Sequence, residues 1–351
     1  MQLPAHGANP RRLYEAMHMD MPSSYIDFSV NVNPFPLPDE YMPTEQQWVR
    51  WMSVYPEERS ETLRAIIAER EHVTRSNVFV GNGAAECIYL LAQQFAKKHI
   101  GIIEPTFSEY ERACETYGCT IHSFLLDEHG QPPIDQIIEC LSSLHALFVC
   151  HPNNPTGTAW SEETMHTLLN AAHDEGVYVV VDEAFYDFWI DGYSVSSFLR
   201  TFDRLIVLRS LTKMYRLPGV RLGYVLAHEY VIKKMMEKQP PWSVNTIAQQ
   251  MAKQLLKDDA FVERTKVYIA SERKRVFEQL NELGYKYSPS VVNFYMLYDE
   301  TITLFPFLLQ HGIVARHTFN FRGLDGKYVR FAVRTKEEND HLLFYLRRWK
   351  Q

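Results

Sequence analysis

Cysteine is scarce in this chain. There are five among 351 residues (Cys87, Cys114, Cys119, Cys140 and Cys150), and no two stand at CxxC or CxxH spacing. That excludes a disulfide scaffold or a zinc ribbon and leads us to expect reduced thiols in a cytoplasmic protein. Positive charge is in deficit: 36 Lys and Arg against 43 Asp and Glu leave a formal charge of −7. A nucleic-acid partner therefore has no electrostatic support, and an anionic substrate would have to be drawn in by local arginines. No apolar run approaches the length that crosses a bilayer. The opening segment, MQLPAHGANPRRLYEAMHMD, lacks the apolar centre of a signal peptide. Internal repeats and low-complexity tracts are absent too. The turn VGNGAAE (80–86) lacks the third glycine of a dinucleotide fingerprint, which argues against a nicotinamide dehydrogenase.

What is present is the pattern of an α/β protein. Short apolar strands are expected at 77–81, 100–104, 120–126, 146–151, 177–184 and 204–210. Helical spacing fills 84–98, 107–118 and 161–176 between them, with Ser161 and Gly176 as start and stop signals. Continuous apolar strands alternating with helices predict a mostly parallel sheet covered on both sides. Ligands of such sheets gather at the carboxyl ends of the strands, so Asn82, Asn154, Asp182 and Ser210 should meet in one crevice. After Pro240-Pro241 the pattern changes to a long helical stretch from about 246 to 283, strands at 293–298 and 328–333, and a final helix. We therefore expect an N-terminal arm over 1–44, a large domain over 45–240 and a smaller α+β domain over 241–351.

Several residues at these strand ends carry chemistry. Lys213 follows the apolar run LIVL and stands beside Ser210 and Thr212, with Arg221 eight residues on. An amine nucleophile at a fixed separation from a phosphate-binding cation suits pyridoxal phosphate. The small residues of VGNGAAE would let a phosphate approach backbone N–H groups at a helix start. Asn154, in HPNNPTG, could donate to a phenolic oxygen. Asp182 ends the most apolar strand, where a carboxylate needs a cation such as a protonated pyridine nitrogen. Each has an ordinary reading when taken alone: a surface lysine, a tight turn, an Asn-Pro turn, a structural salt bridge or a metal ligand. No histidine or second carboxylate stands at metal-ligand spacing from Asp182, so no metal is expected.

In this order, the motifs resemble the fold-type I pyridoxal-phosphate enzymes of the aminotransferase superfamily. The resemblance spans almost the whole chain. It implies that Lys213 joins the cofactor covalently, that Asp182 pairs with its ring nitrogen and that Asn154 bonds its ring hydroxyl. Gly83, Ala84, Ser210 and Arg221 would hold the phosphate. Phe107, in EPTFSEY, would stack on the ring. Tyr55 matches a tyrosine that reaches into a partner subunit's site, which implies a homodimer with shared sites.

Four further stretches resemble the threonine-phosphate decarboxylases of cobalamin synthesis, close relatives of the histidinol-phosphate aminotransferases. They are HGAN (6–9), DFSVNVNPF (27–35), PPWSVNTIA (240–248) and RHTFNFRGLDGKYVRFAVR (316–334). Arg330 could then fork onto a substrate carboxylate, and Arg316 could take a phosphate carrying roughly two charges. His6 and the Gly7 N–H would close over that phosphate, and Asn31 would touch the carboxylate from the other side. Phe185 stands where many aminotransferases place a tyrosine that donates to the cofactor, and phenylalanine cannot donate. The expected reaction is decarboxylation of L-threonine O-3-phosphate to (R)-1-aminopropan-2-yl phosphate. The alternative is a histidinol-phosphate-type aminotransferase acting with 2-oxoglutarate. A cofactor-binding regulator would need an added DNA-binding domain, and too few residues precede the first sheet motif to hold one.

Overall fold

The structure, a computed structural model, describes residues 3–351, so Met1 and Gln2 of the expected arm lie outside the described residues. Its strands are β1 (Ile26–Asp27), β2 (Val78–Gly81), β3 (His99–Glu104), β4 (Thr120–Leu125), β5 (Ala146–Cys150), β6 (Tyr178–Asp182), β7 (Leu205–Ser210), β8 (Gly223–Ala227), β9 (Phe294–Tyr298), β10 (Ile313–Val314), β11 (Arg316–His317) and β12 (Tyr328–Ala332). Seven of them form one sheet in the order β2-β8-β7-β6-β5-β3-β4. β3 to β7 are mutually parallel, and β8 runs antiparallel to both its neighbours.

Both faces of the central strands β5, β6 and β7 are dry. Leu147, Val149, Val179, Val181, Leu205 and Val207 enter one hydrophobic cluster, whereas Phe148, Cys150, Val180, Ile206 and Leu208 enter another. Alternate residues thus serve opposite layers of helices, which is why these strands read as unbroken apolar runs rather than as alternating ones.

A second sheet, β11-β12-β9, is antiparallel and places Arg316 directly opposite Arg330. β1 pairs with β10, so the segment before the large sheet docks on the C-terminal part of the chain. The helical stretch expected over 246–283 is two helices, Thr246–Leu255 and Asp259–Glu282. Asp258 causes the break: its side chain accepts the Phe261 N–H at 3.0 Å and starts a new helix. The described residues contain no helix long and apolar enough to cross a membrane.

Candidate active site

Strand alternation decides what faces the site. On β6 and β7, Asp182 and Ser210 share a face with Val180 and Leu208, while Glu183 and Arg209 turn to the other. Asp182, Ser210, Asn154, Lys213 and Arg221 line one cavity together with Ala84, Phe107 and Phe185. Asn82 does not join them. It caps the helix Gly83–Gln94, and its own N–H donates to Glu86 at 2.7 Å.

Lys213 occupies a four-residue helix that starts where β7 ends. Burial pushes its ammonium down to about 8, the nearby Arg330 and Arg221 add to this, and Asp182 partly opposes it. An amine with lowered proton affinity is available as a nucleophile near neutral pH. Its Nζ lies 5.9 Å from the centre of the Phe185 ring, which in turn meets Phe294 edge-on at 4.8 Å.

Asp182 is fully enclosed, and desolvation raises its pKa. Both of its oxygens are held: Oδ1 accepts the Ala184 N–H at 2.9 Å, and Oδ2 accepts the Tyr110 hydroxyl at 2.7 Å. Tyr110 is the residue that sequence reasoning missed. Its signal was its place three residues after Phe107, which puts both aromatics on one side of the helix start. Tyr110→Phe should destabilise the cofactor-free protein by about 1.5–3 kcal/mol near neutral pH, the contribution of a hydrogen bond to a charged group. The loss should shrink in acid, where the carboxyl is protonated and no longer needs a donor. Urea unfolding at two pH values reads this directly.

Ser210, Thr212 and Arg221 line the same cavity, with Gly83 beside Arg221. Gly83 has φ +81°, and a Cβ there would lie 2.6 Å from Arg221 Nη2, so glycine lets the guanidinium approach the helix start. The Ser210 and Thr212 hydroxyls are 2.8 Å apart. Arg221 donates to the Pro218 carbonyl at 3.2 Å. Hydroxyls, a helix N-terminus and a guanidinium together favour an anion.

Arg316 and Arg330 are buried and have no acidic partner in ion-pair contact among the described residues. Burial pushes Arg316 down to about 10. It pushes Arg330 down to about 9, with Arg316 as the next cause, and no acidic neighbour counteracts it at either. Arg330 donates to Asn154 Oδ1 and, at 3.0 Å, to the Ser29 carbonyl. Arg316 donates to the Ala5 carbonyl at 2.5 Å and to Asn320 Oδ1 at 2.6 Å. Asn31 is buried with both amide atoms unpartnered. His6 reaches Glu109 at 2.9 Å, and its ring lies 5.9 Å from that of Phe107. Gly7 packs so tightly on Ser29 that a Cβ would stand 2.7 Å from the Ser29 carbonyl oxygen. Tyr55 stands apart from the cavity, 82% exposed, with its ring 5.1 Å from that of Trp242.

The matching family model is "Aminotransferase class I and II", over residues 23–346. The chain belongs to this family. The family depends on pyridoxal phosphate, and the fold is fold-type I. The chain is 32% identical over 349 residues to a threonine-phosphate decarboxylase of Salmonella typhimurium, covering 98% of this chain and 96% of that protein. It is 31% identical over 325 residues to a histidinol-phosphate aminotransferase of Caldanaerobacter subterraneus, covering 90% and 91%. The solved histidinol-phosphate aminotransferase from Clostridium acetobutylicum superposes with a TM-score of 0.87 at 30% identity, over 93% of this chain and 99% of that one. The chain is thus an enzyme of the pyridoxal-phosphate-dependent aminotransferase superfamily.

The cavity fits the cofactor of this family. Lys213 offers a desolvated amine to an aldehyde, and Asp182 is a buried carboxylate with no cation in ion-pair contact among the described residues. Gly83, Ala84, Ser210 and Arg221 could hold the phosphate, and Phe107 and Asn154 border the space for the ring. Among the described residues no group of three metal-ligating side chains occurs.

Proposed function

We propose that the enzyme decarboxylates L-threonine O-3-phosphate to (R)-1-aminopropan-2-yl phosphate, an amino alcohol phosphate of cobalamin synthesis. The observation that carries this reading is the cross-strand pair Arg316 and Arg330, both buried and both lacking an acidic partner. Two buried cations side by side are costly unless the ligand brings two anionic groups. A phosphorylated amino acid brings a phosphate and a carboxylate.

When bound, pyridoxal phosphate supplies an electron sink for a bond broken at the substrate's Cα. Lys213 is the covalent anchor and the group that returns a proton to Cα. Asp182, held by Tyr110 and Ala184, stabilises positive charge on the ring nitrogen. Asn154 is the donor to the ring hydroxyl, Phe107 is the stacking ring, and Gly83, Ala84, Ser210 and Arg221 bind the cofactor phosphate. Arg330 and Asn31 grip the substrate carboxylate, while Arg316, His6 and the Gly7 N–H take the substrate phosphate. Holding two ends of the substrate fixes rotation about Cα, so these residues choose between losing carbon dioxide and losing a proton. Phe185, which cannot donate where a tyrosine could, also favours this reading.

The test is to incubate the purified holoenzyme with phosphothreonine, with and without 2-oxoglutarate. We expect carbon dioxide in both cases and no keto acid derived from phosphothreonine. A keto acid appearing only with 2-oxoglutarate would install the second reading, a histidinol-phosphate-type aminotransferase, which the names of the relatives also support. Arg330→Lys keeps the charge but loses the planar fork. Loss of one charge-assisted hydrogen bond, about 1.5–3 kcal/mol, should raise KM for phosphothreonine roughly 10–100-fold. The amount of cofactor held should not change, because Arg330 is outside the residues proposed to hold it.

The proposed working assembly is a homodimer in which Tyr55 reaches into the partner's cofactor site. Its support is an exposed apolar strip, Val49, Met52, Val54, Tyr55 and Trp242, which a second copy would cover. The division into an arm (1–44), a large domain (45–240) and a small domain (241–351) is likewise proposed. The β1–β10 pairing supports grouping the arm with the small domain.

A further inference from the structure

Cys114 and Cys119 stand at the two ends of a helix stop. The helix Glu109–Thr116 closes through Tyr117 into Gly118, whose φ is +70°. The Cys119 N–H donates to the Cys114 carbonyl at 3.0 Å, and the Gly118 N–H to the Glu115 carbonyl at 2.9 Å. This pair of bonds is a Schellman motif, in which the first and last residues bring their side chains into contact. Most such contacts are between hydrophobes. Here both side chains are thiols. The Cys114 thiol is fully buried with the Cys119 thiol beside it, whereas Cys119 is partly exposed and points its S–H at the Phe95 carbonyl, 3.2 Å away. A backbone bond of this kind keeps the two Cα atoms inside the roughly 4.4–6.8 Å that a disulfide spans.

We propose that Cys114 and Cys119 are a reversible disulfide site that exchanges with low-molecular-weight disulfides. The partly exposed Cys119 thiolate attacks one sulfur of the disulfide R–S–S–R, forming a mixed disulfide and expelling RS⁻. Cys114 then attacks the Cys119 sulfur, closes the intrachain bond and expels the second RS⁻. The two protons lost by the cysteines reappear on the two released thiols, so one disulfide is reduced as one is formed. Burial and the adjacent thiol hold the Cys114 pKa above its usual range, which makes the second step the slower one. The product would fasten the end of the helix whose first turn carries Glu109 and Tyr110. The assignment is independent of the substrate proposed above.

The chain supplies a clean assay, because Glu115 lies between the two cysteines. The folded holoenzyme is exposed to oxidised glutathione, unfolded in an alkylating reagent and digested with a protease that cuts after glutamate. We expect the fragments on either side of Glu115 to remain joined, lighter by two hydrogens, and to separate on reduction. Cys119→Ser should release them, and Cys140→Ser should leave them joined. Separate fragments with glutathione left on Cys119, separate fragments with both thiols alkylated, or a bridge to any other cysteine would each overturn the assignment.

Discussion

Lys213→Ala should fold normally and lose at least about 10³-fold in turnover, within the range contributed by a positioned proton-transfer group and before counting the lost covalent anchor. The visible absorbance of covalently held cofactor should vanish with it. The fold should survive because the substitution removes a desolvated amine whose ammonium form is already disfavoured. A second measurement separates environment from chemistry. In the cofactor-free protein, Lys213 releases its proton near pH 8, whereas the unfolded chain holds it to about 10.5. Between those values the unfolded state binds more protons, so wild-type stability should climb with pH across that window. The alanine variant lacks the group and should show a flatter curve. Parallel curves for the two proteins would mean that the amine is not desolvated, and retained turnover would remove Lys213 from the chemistry altogether.

Glu183→Ala should cost about 3–5 kcal/mol of unfolding free energy, a large share of what holds a domain together. Glu183 is wholly buried and stands 2.9 Å from Arg209 on the sheet face opposite the active site. It also accepts the Val195 N–H and the Ser194 hydroxyl, each at 2.8 Å. Removing it leaves a buried guanidinium with Glu71 at 3.7 Å and Asp187 at 3.8 Å, and with the Tyr186 ring 4.3 Å away. These two carboxylates stand farther from the guanidinium than Glu183 does, so its charge would be less well compensated, and truncation should cost more than the pair itself contributes. A loss below about 1 kcal/mol in urea unfolding would contradict this. Glu183 and Arg209 follow Asp182 and precede Ser210 in the chain, so loosening the pair should also weaken cofactor retention.

The parts of this molecule that could be read from the chain are those that depend on local pattern. Runs such as VYVVVD and RLIVLRS announce buried strands, and a polar residue ending such a run faces the crevice at the strand's carboxyl end. Non-local pairing is harder to read. β8 was hidden because GYVLA is short and follows directly on the lysine motif, and its antiparallel direction is fixed by neighbours far away in sequence. Tyr110 reads as one more helical aromatic until the fold carries Asp182 to its hydroxyl, 72 residues on. The facing of Arg316 and Arg330 needs the register of β11 on β12, which the connection over 318–327 sets and which no local pattern reveals. The strand expected over 177–184 stops at Asp182, and Tyr186 opens a 3₁₀ turn just beyond it.

The hydrogen bond from Arg316 to the Ala5 carbonyl bears on how recombinant material should be made. An affinity handle spliced directly ahead of Pro4 would start next to the guanidinium to which the proposed function gives the substrate phosphate. Bulk placed there should disturb the Arg316 and Asn320 bonds to the Ala5 carbonyl and depress measured rates for reasons unrelated to chemistry. The terminal helix, Lys336–Lys350, ends in exposed polar residues and offers the safer point of attachment.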